Sequence, residues 1–154
     1  MTLEILSNIQ VLHFTEALSR TELLEKMGAI AIEKQWAKPG FVEAMLERES
    51  KYATGLHTKG IEVAIPHADP EWTDLPGMVV AFLDQPVDFE PMGGQGELVS
   101  AKFVFMLVIP DADTHITFLQ GLASFIEDEQ KLTLFDQTKD INYLVSFMST
   151  AMNA

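Results

Sequence analysis

Two strand-like stretches, residues 78–83 and 102–109, constrain this chain more than anything else in it, because past Lys102 at the start of the second neither is broken by the polar residues that a half-solvated strand requires. Strands with one face in water alternate apolar and polar side chains, so near-continuous runs predict strands at the centre of a sheet. The longest, Phe103-Val-Phe-Met-Leu-Val-Ile109, is bounded by Lys102 and Pro110. It falls well short of the roughly 20 residues that span a bilayer, so no direct membrane insertion is expected.

Around these runs strand-like and helix-like patterns alternate, which predicts an α/β architecture. Ile9–Phe14 reads as a first strand, and residues 61–65 as another. Ser19 with Glu22 three residues on forms a capping box for a helix whose apolar face is Leu23, Met27, Ile30 and Ala31, ending near Lys34. The Lys38-Pro39-Gly40 break precedes a second helix, with Phe41, Val42 and Met45 inside, Glu43, Glu47 and Glu49 outside, and Arg48 near its C-terminus. Residues 85–96 read as a short edge strand and a mobile loop. A third helix is expected after Asp113-Thr114, either of which suits the cap, with His115, Phe118, Leu119 and Leu122 on one face. A last helix is expected from Asp140 to about Met152, with Ile141, Leu144, Val145 and Met148 inward.

At 154 residues and 47% hydrophobic content, one globular domain is the expectation. The N-terminus lacks the layout of a secretory signal, and the absence of cysteine excludes disulfides and thiolate metal sites. A soluble protein in a bacterial-type cytoplasmic setting fits. A formal charge of −13 argues against nucleic acid, whose phosphates need clustered Lys and Arg. The acidity serves solubility or steers in a basic protein partner.

Several chemistries have no recognisable residues. There is no Gly-x-x-x-x-Gly-Lys loop, no Gly-x-Gly-x-x-Gly turn, no His-Glu-x-x-His and no Gly-x-Ser-x-Gly. His67-Ala-Asp69 is a metal pair without a clear third ligand, so no metal or cofactor is expected. Histidine chemistry remains. In Val63-Ala-Ile-Pro-His67, Pro66 ends strand pairing and aims His67 off the sheet edge, which suits a reactive imidazole or simply a residue after a strand-ending proline. His115, in a first helical turn, suits either an anion site or a plain helix start. His13 and His57 need only strand or surface roles. Arg48 is one of two arginines in the chain and by itself reads as a solvated helix-end charge.

Taken together, Arg48-Glu49, Thr54-Gly55, Ile61-Glu-Val-Ala-Ile-Pro-His67 and His115 followed by Phe118-Leu119 and Leu122 resemble the fructose/mannitol class of IIA components of the bacterial phosphoenolpyruvate-dependent sugar phosphotransferase system. The spacing Arg-Glu-x(4)-Thr-Gly looks most like the free-standing galactitol-type IIA proteins. The family more typically carries Gly-Ile-Ala-Ile/Val-Pro-His-Gly, where this chain has Glu62 and Ala68.

The resemblance implies one α/β domain over residues 3–152, a mixed central sheet flanked by helices. It implies that His67 takes a phosphoryl group from the carrier HPr and passes it to a cysteine of a IIB component working with a membrane IIC. His115 would contact the phosphoryl oxygens, Arg48 would add positive charge, and Thr54 would contact the phosphoryl group or hydrogen-bond locally. A docking depression with an apolar rim is expected. A regulatory, nitrogen-type IIA protein stays open as the alternative, although Tyr52-Ala-Thr-Gly-Leu-His-Thr-Lys-Gly-Ile-Glu-Val replaces much of the run those proteins carry. A metal-dependent hydrolase using His67 and Asp69 is a third reading.

Overall fold

The computed structural model describes residues 4–153, with side chains described for residues 5–111 and 116–150. After a 3₁₀ turn at Glu4–Ser7 come β1 (Ile9–Phe14), α1 (Arg20–Glu33), α2 (Phe41–Lys51), β2 (Gly55–Leu56) and β3 (Glu62–Ala64). A second 3₁₀ turn at Pro70–Trp72 leads to β4 (Gly77–Phe89), β5 (Val99–Val108), α3 (Ala112–Glu127), α4 (Glu129–Thr138) and α5 (Ile141–Asn153).

Among the described residues the strands form one mixed sheet in the order β1-β4-β5-β3-β2. β4 and β5 pair antiparallel at its centre, β1 and β3 lie parallel to them on either side, and β2 closes one edge antiparallel to β3. The two apolar runs are thus the central strands, and alternate residues feed opposite layers. Met78, Val80, Phe82, Phe105 and Leu107 face Phe118, Leu122, Phe125, Phe135, Leu144 and Met148. Val79, Ala81, Val104, Met106 and Val108 face Leu23, Leu24, Met27, Phe41 and Met45. Both faces are covered by helices, so no polar position is needed in either run.

The pairing of β4 with β5 slips between Phe82 and Val87. Beyond the slip, the stretch from residue 85, expected as a short edge strand and loop, continues β4 as far as Phe89, and Val87, Asp88 and Phe89 pair with Ala101, Ser100 and Val99. A bulge of this kind switches which side chains face each layer. Ala101 accordingly faces the α1–α2 layer while Phe103 faces the other.

The capping box forms as the sequence predicts: Ser19 Oγ accepts from Glu22 N at 3.1 Å, and Glu22 Oε1 accepts from Ser19 N at 3.0 Å. α3 begins at Ala112, so Asp113 and Thr114 lie inside the helix rather than ahead of it. Helix α4 has no counterpart among the sequence expectations. Only Leu132 and Phe135 of it are buried, too few for a periodic signal, and Asp128 starts it by accepting from Gln130 N and Lys131 N. Phe135 then joins Phe82, Phe103, Phe105 and Phe125 in an aromatic cluster with ring centroids 5.2–6.4 Å apart.

Gly55 opens β2 where the backbone passes closest to the β4–β5 connection. A Cβ there would lie 2.6 Å from the Glu90 carbonyl and 2.9 Å from Val99. Gly55→Ala is expected to lower the free energy of urea unfolding by about 1–3 kcal/mol. Gly60→Ala, whose nearest neighbour would be Glu129 at 3.8 Å, serves as a control that changes it by less than about 0.5 kcal/mol.

Candidate functional site

The chain leaves β3 at Ala64 but stays against β5 for three more residues. Leu107 N donates to the Pro66 carbonyl at 3.0 Å, and His67 bridges to Leu107 in the parallel sense. Strand pairing therefore ends one residue earlier than the 61–65 expectation, yet Pro66 does not release the chain from the sheet, because only its missing N–H is lost and its carbonyl still pairs.

His67 is partly buried, and its Nδ1 lies 2.9 Å from the carbonyl oxygen of Ile65. A carbonyl only accepts, so Nδ1 carries the proton and the neutral ring bears its lone pair on Nε2. That is the arrangement of a nitrogen nucleophile with a fixed tautomer.

Behind His67 lies a buried carboxylate that the helical pattern placed on the wrong side. Glu49, expected outside α2, is 5% exposed. Its Oε2 accepts from Thr54 N at 2.9 Å and its Oε1 from Thr54 Oγ1 at 2.7 Å, so both donors of Thr54, itself 3% exposed, go to one carboxylate. Burial raises the Glu49 pKa, while the hydrogen bonds from Thr54 and the charges of Arg20 and Arg48 act to lower it. The chain's two arginines thus both favour the ionised form of this group. Helical periodicity missed it; the one signal able to reveal it is the Arg-Glu-x(4)-Thr-Gly spacing, which brings Glu49 and Thr54 together across the end of α2.

Arg48, one residue earlier, points the other way. Its Nη1 donates to Asp69 Oδ1 at 2.7 Å, and its guanidinium lies 5.3 Å from the centre of the Tyr52 ring. The ion pair ties the end of α2 to the segment two residues past His67. It also turns Asp69 toward Arg48, and among the described residues no three His, Cys, Asp or Glu side chains are grouped to hold a metal ion.

The side chain of His115 lies outside the described residues. Its backbone occupies the first turn of α3, which starts five residues after Leu107, so α3 begins at the end of β5 that His67 bridges. Beside Ile65 lies an apolar groove of about 640 Å³, lined by Leu56, Ile65, Met92, Leu119, Leu122 and Ile126.

At the groove's border His57, expected to have only a surface role, meets Glu62, the residue at odds with the family's usual motif. His57 Nδ1 and Glu62 Oε2 are 2.5 Å apart, His57 Nε2 donates to the Glu97 carbonyl at 2.9 Å, and Glu62 Oε1 accepts from Ser100 N at 3.0 Å. With acceptors at both nitrogens the imidazolium is favoured, and Glu62, then Glu97, raise the His57 pKa above its ordinary value.

The fold and site define a three-layer α/β domain that holds a tautomer-fixed histidine at the end of an inner strand. The chain belongs to the family of the phosphoenolpyruvate-dependent sugar phosphotransferase system, EIIA 2, whose profile matches residues 4–150. Members of that family are phosphotransferase components with a phosphohistidine relay. The chain is 34% identical over 93 residues to the mannitol-specific phosphotransferase enzyme IIA component of Halalkalibacterium halodurans, covering 58% of this chain and 62% of that protein. It is 30% identical over 136 residues to a nitrogen regulatory protein of Bradyrhizobium diazoefficiens, covering 85% and 83%. It spans only 20% of the mannitol-specific EIICBA component of Vibrio cholerae. The fold matches the IIA protein in the complex of enzyme IIAMTL with phosphorylated enzyme IIBMTL from Escherichia coli, with a TM-score of 0.71 at 22% identity over 93% of this chain and 94% of that one.

A histidine whose folded pKa is raised stabilises the fold fully below its unfolded value, about 6.5, and loses that contribution as pH rises through the folded value. The stability advantage of the wild-type protein over Glu62→Gln is therefore expected to be largest below about pH 6.5 and to shrink as pH rises through the raised value. Urea unfolding across that range, with His57 followed by NMR titration, checks this; a His57 titration unmoved by Glu62→Gln would discard the pairing.

Proposed function

We propose that this chain, as one domain over residues 3–152, is the phosphohistidine relay of a sugar or alditol uptake system, accepting a phosphoryl group from HPr on His67 and passing it to a cysteine of a IIB component. The Nδ1–H of His67 held on the Ile65 carbonyl carries the reading. In the first transfer the Nε2 lone pair forms the new N–P bond as the carrier's N–P bond breaks, leaving a positively charged ring whose Nδ1 proton faces a carbonyl dipole. In the second, a thiolate attacks phosphorus and the neutral Nδ1–H imidazole departs, so no proton need be delivered to the leaving group.

Phosphoryl transfer builds charge on the equatorial oxygens, and donors are the main requirement of the site. We assign His115 as a donor to those oxygens and Arg48 as the nearby positive charge, held by Asp69 between transfers. A direct phosphoryl contact by Thr54 requires its hydroxyl to leave Glu49, so its local hydrogen-bonding role is favoured. Neither metal nor nucleotide enters these steps. The galactitol-like subclass rests on the Arg48-Glu49-x(4)-Thr54-Gly55 spacing, and a cytoplasmic location on the partners such a relay must meet. Among the described residues, no helix is long and apolar enough to cross a membrane.

Incubation with phosphoenolpyruvate, enzyme I and HPr is expected to add one acid-labile phosphoryl group, and His67→Ala to abolish it; label surviving in that variant would sink the assignment. His115→Ala is expected to slow acceptance and discharge on the order of 10²-fold with the circular dichroism spectrum unchanged.

The match to a nitrogen regulatory protein over 85% of this chain supports a second reading, in which the phosphorylated chain acts by binding other proteins. Discharge separates the two. Rapid loss of the phosphoryl group to a genomically paired IIB protein supports transport, and normal charging with no discharge supports regulation.

A further inference from the structure

Glu49 is a buried ionisable group for which the phosphoryl steps above have no use. Its hydrogen bonds nevertheless lead without interruption to the reacting ring. The carboxylate holds Thr54 through N–H and Oγ1. The Thr54 carbonyl accepts from Ile65 N at 3.2 Å, and the Ile65 carbonyl accepts from His67 Nδ1 at 2.9 Å. Each link fixes one of the two peptide planes that flank Thr54 or Ile65, and the backbone dihedrals of that residue carry the constraint to the other plane. The plane holding the Ile65 carbonyl is the one that chooses the tautomer, since that carbonyl is the acceptor that puts the ring proton on Nδ1.

We propose that Glu49 is a positioning residue for His67, acting through Thr54 and Ile65 to keep the ring in the Nδ1–H form with Nε2 as the nucleophile; this rests on the reading of His67 as the phosphoryl acceptor. A neutral imidazole has two tautomers, and only one leaves a lone pair on the nitrogen that reacts. The alternative role for Glu49 is purely architectural, serving the turn after α2. The surroundings speak for the longer reach. Thr54 is 3% exposed, so loss of the carboxylate strands two donors away from water, and a backbone shift that relieves them moves the carbonyl to which Ile65 N is bonded.

The test uses ¹⁵N-labelled full-length protein, with the His67 tautomer read from long-range ¹H–¹⁵N spectra at a pH where the ring is neutral, alongside the rate of charging by HPr. Glu49→Ala is expected to give a mixture of both His67 tautomers and charging slower by about 10- to 100-fold, the usual scale for groups that orient a reacting ligand from behind. Glu49→Gln keeps the volume and one acceptor for Thr54 N, so it is expected to fall between Ala and the wild type. If Glu49→Ala does not fold, Glu49→Gln decides alone. A folded variant with a lowered urea midpoint, an unshifted Nδ1–H tautomer and charging within about twofold of wild type would overturn the proposal and leave an architectural role. The outcome is separable from that of the phosphoryl reading: wild-type protein that takes no label on His67 defeats that reading, whereas the tautomer measurement needs no phosphorylation and still judges Glu49.

Discussion

The antiparallel pairing of β4 with β5, covered on both faces, is the constraint on which the rest of the molecule depends. Residues 78–83 and 103–108 are essentially withdrawn from water, and each fully buried side chain of their size contributes about 1.5–3 kcal/mol relative to an exposed one. That gain requires one helical layer on each face, α1–α2 on one and α3–α5 on the other. It also places the site, because β3 lies beside β5, and the first residues past β3 pair with the end of β5 that leads into α3.

The site is held by polar groups that the core cannot hold. A carboxylate placed away from water unpaired would cost several kcal/mol. Glu49 is tolerated because Thr54 supplies two donors and two arginines supply charge. Neighbouring residues on α2 divide the work: Glu49 points inward to Thr54, and Arg48 points outward to Asp69 just past His67. Both sides of His67, along the chain and behind it, are thereby fastened to the same helix end.

Glu62 shows how a departure from a family's usual motif is accommodated. The usual motif of the family that this chain resembles has glycine there, whereas the chain itself carries a carboxylate. In the fold it joins His57, from the turn before it, to Ser100 on β5. Its partner His57 lines the apolar groove beside Ile65, and the bond between Ile65 and His67 is made without either of them.

The sequence by itself determined the elements whose signal is local or is repeated along the chain. The capping box at Ser19 and Glu22 marks the start of α1 to the residue, and the unbroken apolar runs mark β4 and β5 as central, because covering both faces leaves no room for alternation. The Ile-Pro-His segment and the Arg-Glu-x(4)-Thr-Gly spacing carried the family. Only the tertiary structure decided the rest, since each remaining feature depends on a partner distant in sequence. Helix α4 exists because two of its residues complete an aromatic cluster built mainly by other elements. Residues 87–89 join β4 because a register slip aligns them with 99–101. Glu49 is buried although helical periodicity puts it outside, because periodicity counts apolar residues and is blind to a carboxylate whose donors fold back onto it. The ring nitrogen of His67 that holds the proton was settled the same way, by a carbonyl whose direction follows from the strand that carries it.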